Sequence, residues 1–199
     1  MAGLRSWAGR HRATPFMAAT ALYASALSRW SGQTDLTLGT PSSGRHRVEA
    51  APLVGCFVNM LPIRLDLSGD PAYGETLDRV RDAVIEAQAN GDVPFEEIVK
   101  DLRLDRDPTG RVPLIRHIVQ FDEALRPAPM AGLDLELQPL GTGTAKFELF
   151  VDFEDGGDRG LECRAHYSTE VLDAETVDRF VTELCRSAEA AADENRSLS

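Results

Sequence analysis

The stretch Leu53–Arg64, LVGCFVNMLPIR, constrains the fold more than any other part of the chain. Its centre, Cys56 to Leu61, is apolar on both faces apart from one carboxamide, and it is entered through Gly55 and interrupted by Pro62. A short two-sided apolar run of this kind reads as a strand inside a covered sheet. Pro62 has no N–H to give to a ladder, so the strand is expected to bulge or lose a neighbour there. Asn59 is the polar exception. A buried carboxamide left unpaired costs about 1–3 kcal/mol, so Asn59 either pins nearby backbone or meets a ligand.

Elements on either side follow from periodicity and punctuation. Leu4–His11 reads as a short amphipathic helix with Leu4, Trp7 and Ala8 inward and Arg5, Arg10 and Arg12 solvated. Thr14-Pro15 starts a second helix, which carries Phe16, Ala19, Tyr23, Leu27 and Trp30 on one face and ends near Gly32. Asp35–Thr40 alternates as a strand and runs into a loop of Pro, Ser and Gly at 41–45. Asp70-Pro71 opens a helix that buries Tyr73, Leu77, Val80, Val84 and Ala87, and Pro94–Leu102 forms a shorter one that buries Phe95, Ile98, Val99 and Leu102. Strands are expected at Leu114–Phe121, Leu133–Leu137, Phe147–Phe153 and Leu161–Tyr167, the last two joined by a hairpin at Gly156-Gly157. A final helix from Asp173 buries Val177, Phe180, Val181 and Leu184. This order predicts an α/β two-layer sandwich, a mixed β-sheet with helices packed mainly on one face. One unit is expected over 1–194, with 195–199 a polar tail or the start of a linker.

Composition narrows the partners. A net charge of −11 argues against nucleic acid or an anionic membrane surface, both of which need a basic face. Cys56, Cys163 and Cys185 are scattered and include no C-x-x-C, which fits buried thiols in a reducing cytoplasm better than a disulfide or zinc framework. No apolar run approaches a membrane span and the N-terminus lacks a signal-peptide core, so a soluble intracellular protein is expected. Asp152 and Glu154 alternate near Glu148, as a catalytic carboxylate pair or the polar outer face of a strand would; the outer face is favoured. Cys163 has no sequence-local base and is not expected to act as a nucleophile. No metal-ligand spacing, phosphate loop or dinucleotide fingerprint is present.

The pattern G-x-F-V-N-x-x-x-x-R at Gly55–Arg64 resembles a recurring motif of the condensation domains of nonribosomal peptide synthetases. The resemblance extends along the chain in family order. It includes Thr14-Pro15-Phe16, Leu27–Gln33 as L-x-R-x-S-G-Q, and Gly39–Arg45 as G-T-P-x-x-G-R. It continues with Asp92-Val93-Pro94-Phe95-Glu96, with Arg106-Asp107 and Pro113-Leu114 resembling R-D-x-x-x-x-P-L but with five intervening residues, with Thr144–Leu149, and with Tyr167-Ser168-Thr169. It implies a chloramphenicol-acetyltransferase-like fold of two lobes with a tunnel between them, of which this chain resembles the second. The family's H-H-x-x-x-D-G motif belongs to the first lobe; His11, His46, His117 and His166 do not form it, and His117 and His166 read as structural.

The resemblance implies a share in amide formation between amino acids held as thioesters on carrier proteins, with phosphopantetheine on the carriers and no cofactor bound directly. Implied partners are peptidyl carrier proteins, a first lobe with H-H-x-x-x-D-G and an adjacent adenylation domain. No catalytic residue is expected in this chain. Thr40, Ser42, Ser43, Arg45 and Asn59 are the candidate substrate-binding residues, with 40–45 as a floor loop, Ser43 the best tunnel-facing hydroxyl, and a latch within Met130–Thr144. Arg64, Arg106, Asp107 and Arg111 read as salt-bridge scaffolding. The competing readings are a docking module that performs no chemistry, or a relative with another reaction such as epimerization. A lone lobe is expected to expose an apolar face and to self-associate or be of limited stability.

Overall fold

The structure, a computed structural model, describes residues 2–45, 47–103, 114–123, 130–133, 135, 138, 140–141, 143–157 and 160–192. In chain order the elements are α1 (Ala2–Arg10), α2 (Pro15–Ser31), β1 (Asp35–Ser42), β2 (Asn59–Asp66), α3 (Tyr73–Ala89), α4 (Phe95–Asp101), β3 (His117–Glu123), β4 (Leu149–Asp155), β5 (Leu161–Tyr167) and α5 (Ala174–Ala192). A single 3₁₀ turn, Val48–Ala50, lies between β1 and β2.

The five strands form one mixed sheet in the order β2-β1-β3-β4-β5. β1 pairs antiparallel with β2 and parallel with β3, β3 parallel with β4, and β4 antiparallel with β5. Cross-strand neighbours share a face, and one face holds Leu36, Leu38, Ile63, Leu65, Val119, Leu149, Val151 and Phe153, all in the core with the helices. Cys163, Ala165 and Tyr167 of β5 pack against it. The other face carries Gln120, Asp122, Asp152, Glu154 and Arg164, as the alternation requires. The result is the two-layer sandwich read from the sequence.

α2 is the central helix. Thr14 Oγ1 accepts the Met17 N–H at 3.2 Å, Pro15 opens the first turn, and Gly32 closes the last with φ 70°. Ten of its residues are buried, because α1, α3 and α5 flank it while its underside lies on β1 and β3. Tyr23 meets Phe180 edge to face at 5.8 Å. α1 buries Leu4, Trp7 and Ala8 as expected, and Arg5 pairs with Asp155 at the end of β4. Asp173 caps α5 by accepting the Thr176 N–H at 2.8 Å.

Several expectations are changed by the structure. Leu53–Val58 is not strand: residues 51–58 are exposed, and β2 begins at Asn59. Pro62 does not bulge: it sits opposite Gly39 in a continuous ladder, and β2 has no second neighbour because it is an edge strand, which is the other outcome expected for this proline. The thiols are not all buried, since Cys56 and Cys185 are exposed and Cys163 is half-buried. α4 buries no residue fully: Phe95, Ile98 and Val99 are half-buried and Leu102 is exposed, and the helix leans on the edge strand β2. In the expected strand Leu133–Leu137, Leu133 and Leu135 lie outside any strand, with only an isolated bridge from Met130 to Leu133, and residues 134, 136 and 137 lie outside the described residues. Among the described residues no helix is long and apolar enough to cross a membrane.

Candidate functional site

The β1–β2 ladder ends at the pair Ser42–Asn59, and the described residues between them, 43–45 and 47–58, lie outside the sheet. Thr40 and Ser42 lie on the helix-facing side with Leu38, and both are half-buried. Ser42 Oγ accepts the Gly44 N–H at 3.5 Å, and Ser43, exposed beyond the strand, accepts the Arg45 N–H at 3.4 Å. These two bonds turn the chain sharply out of β1. Gly44 has φ 65°, and a Cβ there would stand 2.0 Å from the Phe57 carbonyl oxygen, so the two limbs of the loop touch backbone to backbone.

Arg45 fills the loop. One terminal nitrogen donates to the Ala50 carbonyl and, at 3.0 Å, to that of Leu53; the other donates to Gly55 O at 3.0 Å. Its guanidinium carbon lies 4.6 Å from the centre of the Phe57 ring. The loop therefore has a cationic centre and an apolar rim, with Val48, Leu53, Val54, Phe57 and Val58 exposed.

Asn59 is saturated by backbone. Its amide nitrogen donates to Gly91 O at 3.0 Å and Val93 O at 2.8 Å, while its oxygen accepts the N–H groups of Met60 at 3.0 Å and Phe95 at 3.1 Å. The first N–H of α4, which Pro94 cannot cap with a side chain, is satisfied in this way. Of the two readings open for Asn59, the geometry is that of the loop pin. It joins two separate motifs, F-V-N at 57–59 and D-x-P-F-E at 92–96.

The five candidate residues thus divide. Ser42, Ser43, Arg45 and Asn59 gather at the open end of the β1–β2 ladder, and Thr40 lies two pairs inside it. Sequence reasoning missed Val48, Leu53, Val54, Phe57 and Val58 as surface residues. The available signal was Arg45, a cation beside Gly44 and a run of bare carbonyls. Within the expected latch, Met130, Leu133, Leu135 and Leu140 are exposed, and residues 134, 136, 137, 139 and 142 lie outside the described residues.

Other candidates resolve as scaffolding. Arg64 grips Asp35 with two bonds of 3.0 and 2.7 Å. Asp152 and Glu154 share Arg164 of β5, at 3.3 and 2.5 Å, so the polar outer face is what the strand carries. Burial, and then the neighbouring Asp122 charge, hold the Asp152 carboxyl above its ordinary range against the pull of Arg164. Burial pushes the Cys163 thiol up to about 12, which leaves it a poor nucleophile near neutral pH, and burial pushes the His117 imidazole down. His166 stacks on Phe150 at 5.6 Å. Arg106, Asp107, Arg111 and His46 lie outside the described residues. Among the described residues no group of His, Cys, Asp or Glu could hold a metal ion.

A family model described as Condensation domain matches residues 1–197. Surfactin synthase subunit 1 of Bacillus subtilis (strain 168) is 35% identical over 198 residues, which is 98% of this chain and 6% of that protein. Malpibaldin synthetase of Mortierella alpina is 37% identical over 182 residues, 89% of this chain and 3% of that one. The solved X-domain from teicoplanin biosynthesis superposes with a TM-score of 0.84 at 28% identity, covering 96% of this chain and 44% of the other. The chain therefore spans a small fraction of its curated relatives and less than half of that solved chain.

Proposed function

The chain belongs to the condensation-domain family, and from that premise we propose that it is the C-terminal lobe, over residues 1–194, of a domain that forms peptide bonds in nonribosomal peptide synthesis. The amine of one carrier-bound amino acid attacks the carbonyl of a carrier-bound thioester. The C–N bond forms, the C–S bond breaks, and the proton lost by the amine accompanies the departing pantetheine thiol. Alignment of two reactants at one point is worth up to about 7–11 kcal/mol, and a two-lobed tunnel supplies it. This lobe gives one wall, the floor loop and the latch. The first lobe, with H-H-x-x-x-D-G, gives the residue that handles the proton.

One observation carries this reading: an apolar rim, Val48, Leu53, Val54, Phe57 and Val58, stands exposed beyond the sheet on a loop with its own internal bonds. Exposed apolar surface of this kind marks an interaction site. The solved X-domain chain is more than twice as long as the part matched here, and the occupant that fits the rim is that missing half. Thr40, Ser42 and Ser43 line the floor under the pantetheine arm, which is thin and polar enough for a path of hydroxyls. Partners are peptidyl carrier proteins and an adjacent adenylation domain, in a cytoplasmic setting.

The test is amide formation between two aminoacyl-loaded carrier proteins, with this chain alone and with an added first lobe. Product only on mixing is expected. Product from this chain alone refutes the division of labour. Carrier binding without product in either case favours the second reading, a docking module, which the same exposed rim also suits.

A further inference from the structure

We propose that Arg45 is a positioning residue: it moulds residues 47–58 into the surface that meets the first lobe and does not itself touch substrate. This rests on the reading of the chain as a second lobe.

The guanidinium spans three carbonyls from three points of the loop, Ala50, Leu53 and Gly55, and lies over the Phe57 ring. Only a planar fork can take three divergent acceptors and still present a flat face to an aromatic ring. No carboxylate is among its described contacts; its partners are backbone oxygens, which cannot be supplied by a substitution elsewhere. The remaining bonds of the loop are short-range, from Ala50 N to Arg47 O at 3.0 Å, Ala51 N to Val48 O at 3.2 Å and Leu53 N to Ala50 O at 3.3 Å. None of residues 47–58 belongs to the hydrophobic core. Among the described residues, the loop is organised from its N-terminal limb by Arg45, and its neck is closed by Gly44 against the Phe57 backbone and by Arg45 over the Phe57 ring.

Removal of the organiser should free the loop and spare the fold. In Arg45→Ala, hydrogen exchange of the amides of Ala50, Ala51 and Leu53 should rise about tenfold or more, with the melting temperature within about 2 °C of wild type. Arg45→Lys keeps the charge and loses the fork, so its exchange should follow Arg45→Ala. Gly44→Ala, which breaks the neck while leaving Arg45 in place, should loosen the same amides. In the two-lobe assay, Arg45→Ala should lower kcat by about ten- to a hundredfold while KM for the loaded acceptor carrier changes less than about threefold.

Unchanged exchange in Arg45→Ala, or full protection in Arg45→Lys, overturns the proposal. So does a raised KM with unchanged kcat, which would place the guanidinium on substrate. If the wild-type pair makes no amide, the two-lobe reading falls, and the exchange measurement on this chain alone still decides whether Arg45 shapes the loop.

Discussion

Asn59 Oδ1 lies 3.1 Å from the backbone nitrogen of Phe95, so a side chain at the start of an edge strand caps a helix thirty-six residues later. Its amide nitrogen completes the joint by donating to Gly91 O and Val93 O. Asn59→Ala leaves two acceptors and a helix-terminal donor without it and should destabilise the chain by about 1–3 kcal/mol. Asn59→Asp is worse near neutral pH, since a carboxylate would face two carbonyls. Protonation restores one donor, so the gap between the two variants should narrow below about pH 4. Urea unfolding at pH 7 and pH 3.5 checks both statements.

Gly39 has no room for a side chain. A Cβ would stand 2.5 Å from Ile115 Cγ2 and 2.6 Å from Ile118 Cδ1. Gly39→Ala should cost about 1–3 kcal/mol by overpacking. Ile118→Val, which removes the Cδ1 methyl at 2.6 Å, should recover part of that cost, and a double-mutant cycle measures the coupling. The first glycine of the G-T-P-x-x-G-R motif is therefore explained by strand packing.

Asp152 titrates above the usual carboxyl range, chiefly through burial and then through Asp122 and Glu154, with Arg164 and His166 opposing. The sign follows directly. An acid whose folded pKa exceeds its unfolded value disfavours the fold once ionised, and that cost is absent below about pH 4. Asp152→Asn should accordingly raise stability at pH 7, with a gain that shrinks as the pH falls through the folded pKa and is gone at pH 3. A loss of stability at pH 7 would show that the 3.3 Å bond to Arg164 outweighs the burial.

The three thiols should separate by reactivity. Cys56 lies exposed in the 47–58 loop, and the Cys163 thiol, pushed up to about 12, has on the order of one part in ten thousand as thiolate at pH 8. Iodoacetamide at pH 8 should label Cys56 first. Cys185, whose thiol burial also pushes up, follows, and Cys163 reacts only on unfolding. Mass spectrometry of timed digests reads the order.

Much of this molecule is legible in its sequence where local signals and packing agree. Thr14, Pro15 and Gly32 bound α2 because each satisfies or stops the helix backbone by its own chemistry. The alternation of Leu161–Tyr167 survives intact because β5 keeps one face on the core. The reading fails at Leu53–Val58 for one physical reason. Apolarity there does not mean burial within this chain, because Val54 and Val58 face outward and the loop is held by a cation from another motif. α4 fails likewise: its apolar stripe is real, but the sheet edge covers only half of it. Asn59 was recognisable as a residue in need of partners. That those partners lie at Gly91, Val93 and Phe95 depends on tertiary contact, which no local pattern encodes.

The strand order β2-β1-β3-β4-β5 has a consequence for how the chain can be divided. Every neighbour on the β2-β1 side comes from before Arg103, and every neighbour on the β3-β4-β5 side from after Leu114. The two blocks meet in the sheet at a seam with two paired positions, Leu38 with His117 and Gly39 with Ile118, under helix α2. A peptide bond severed between Arg103 and Leu114 would leave each block with its own complete ladder. The halves would then re-form the sheet as fragments in trans, with Gly39 against Ile118 as the tongue-and-groove that sets their alignment.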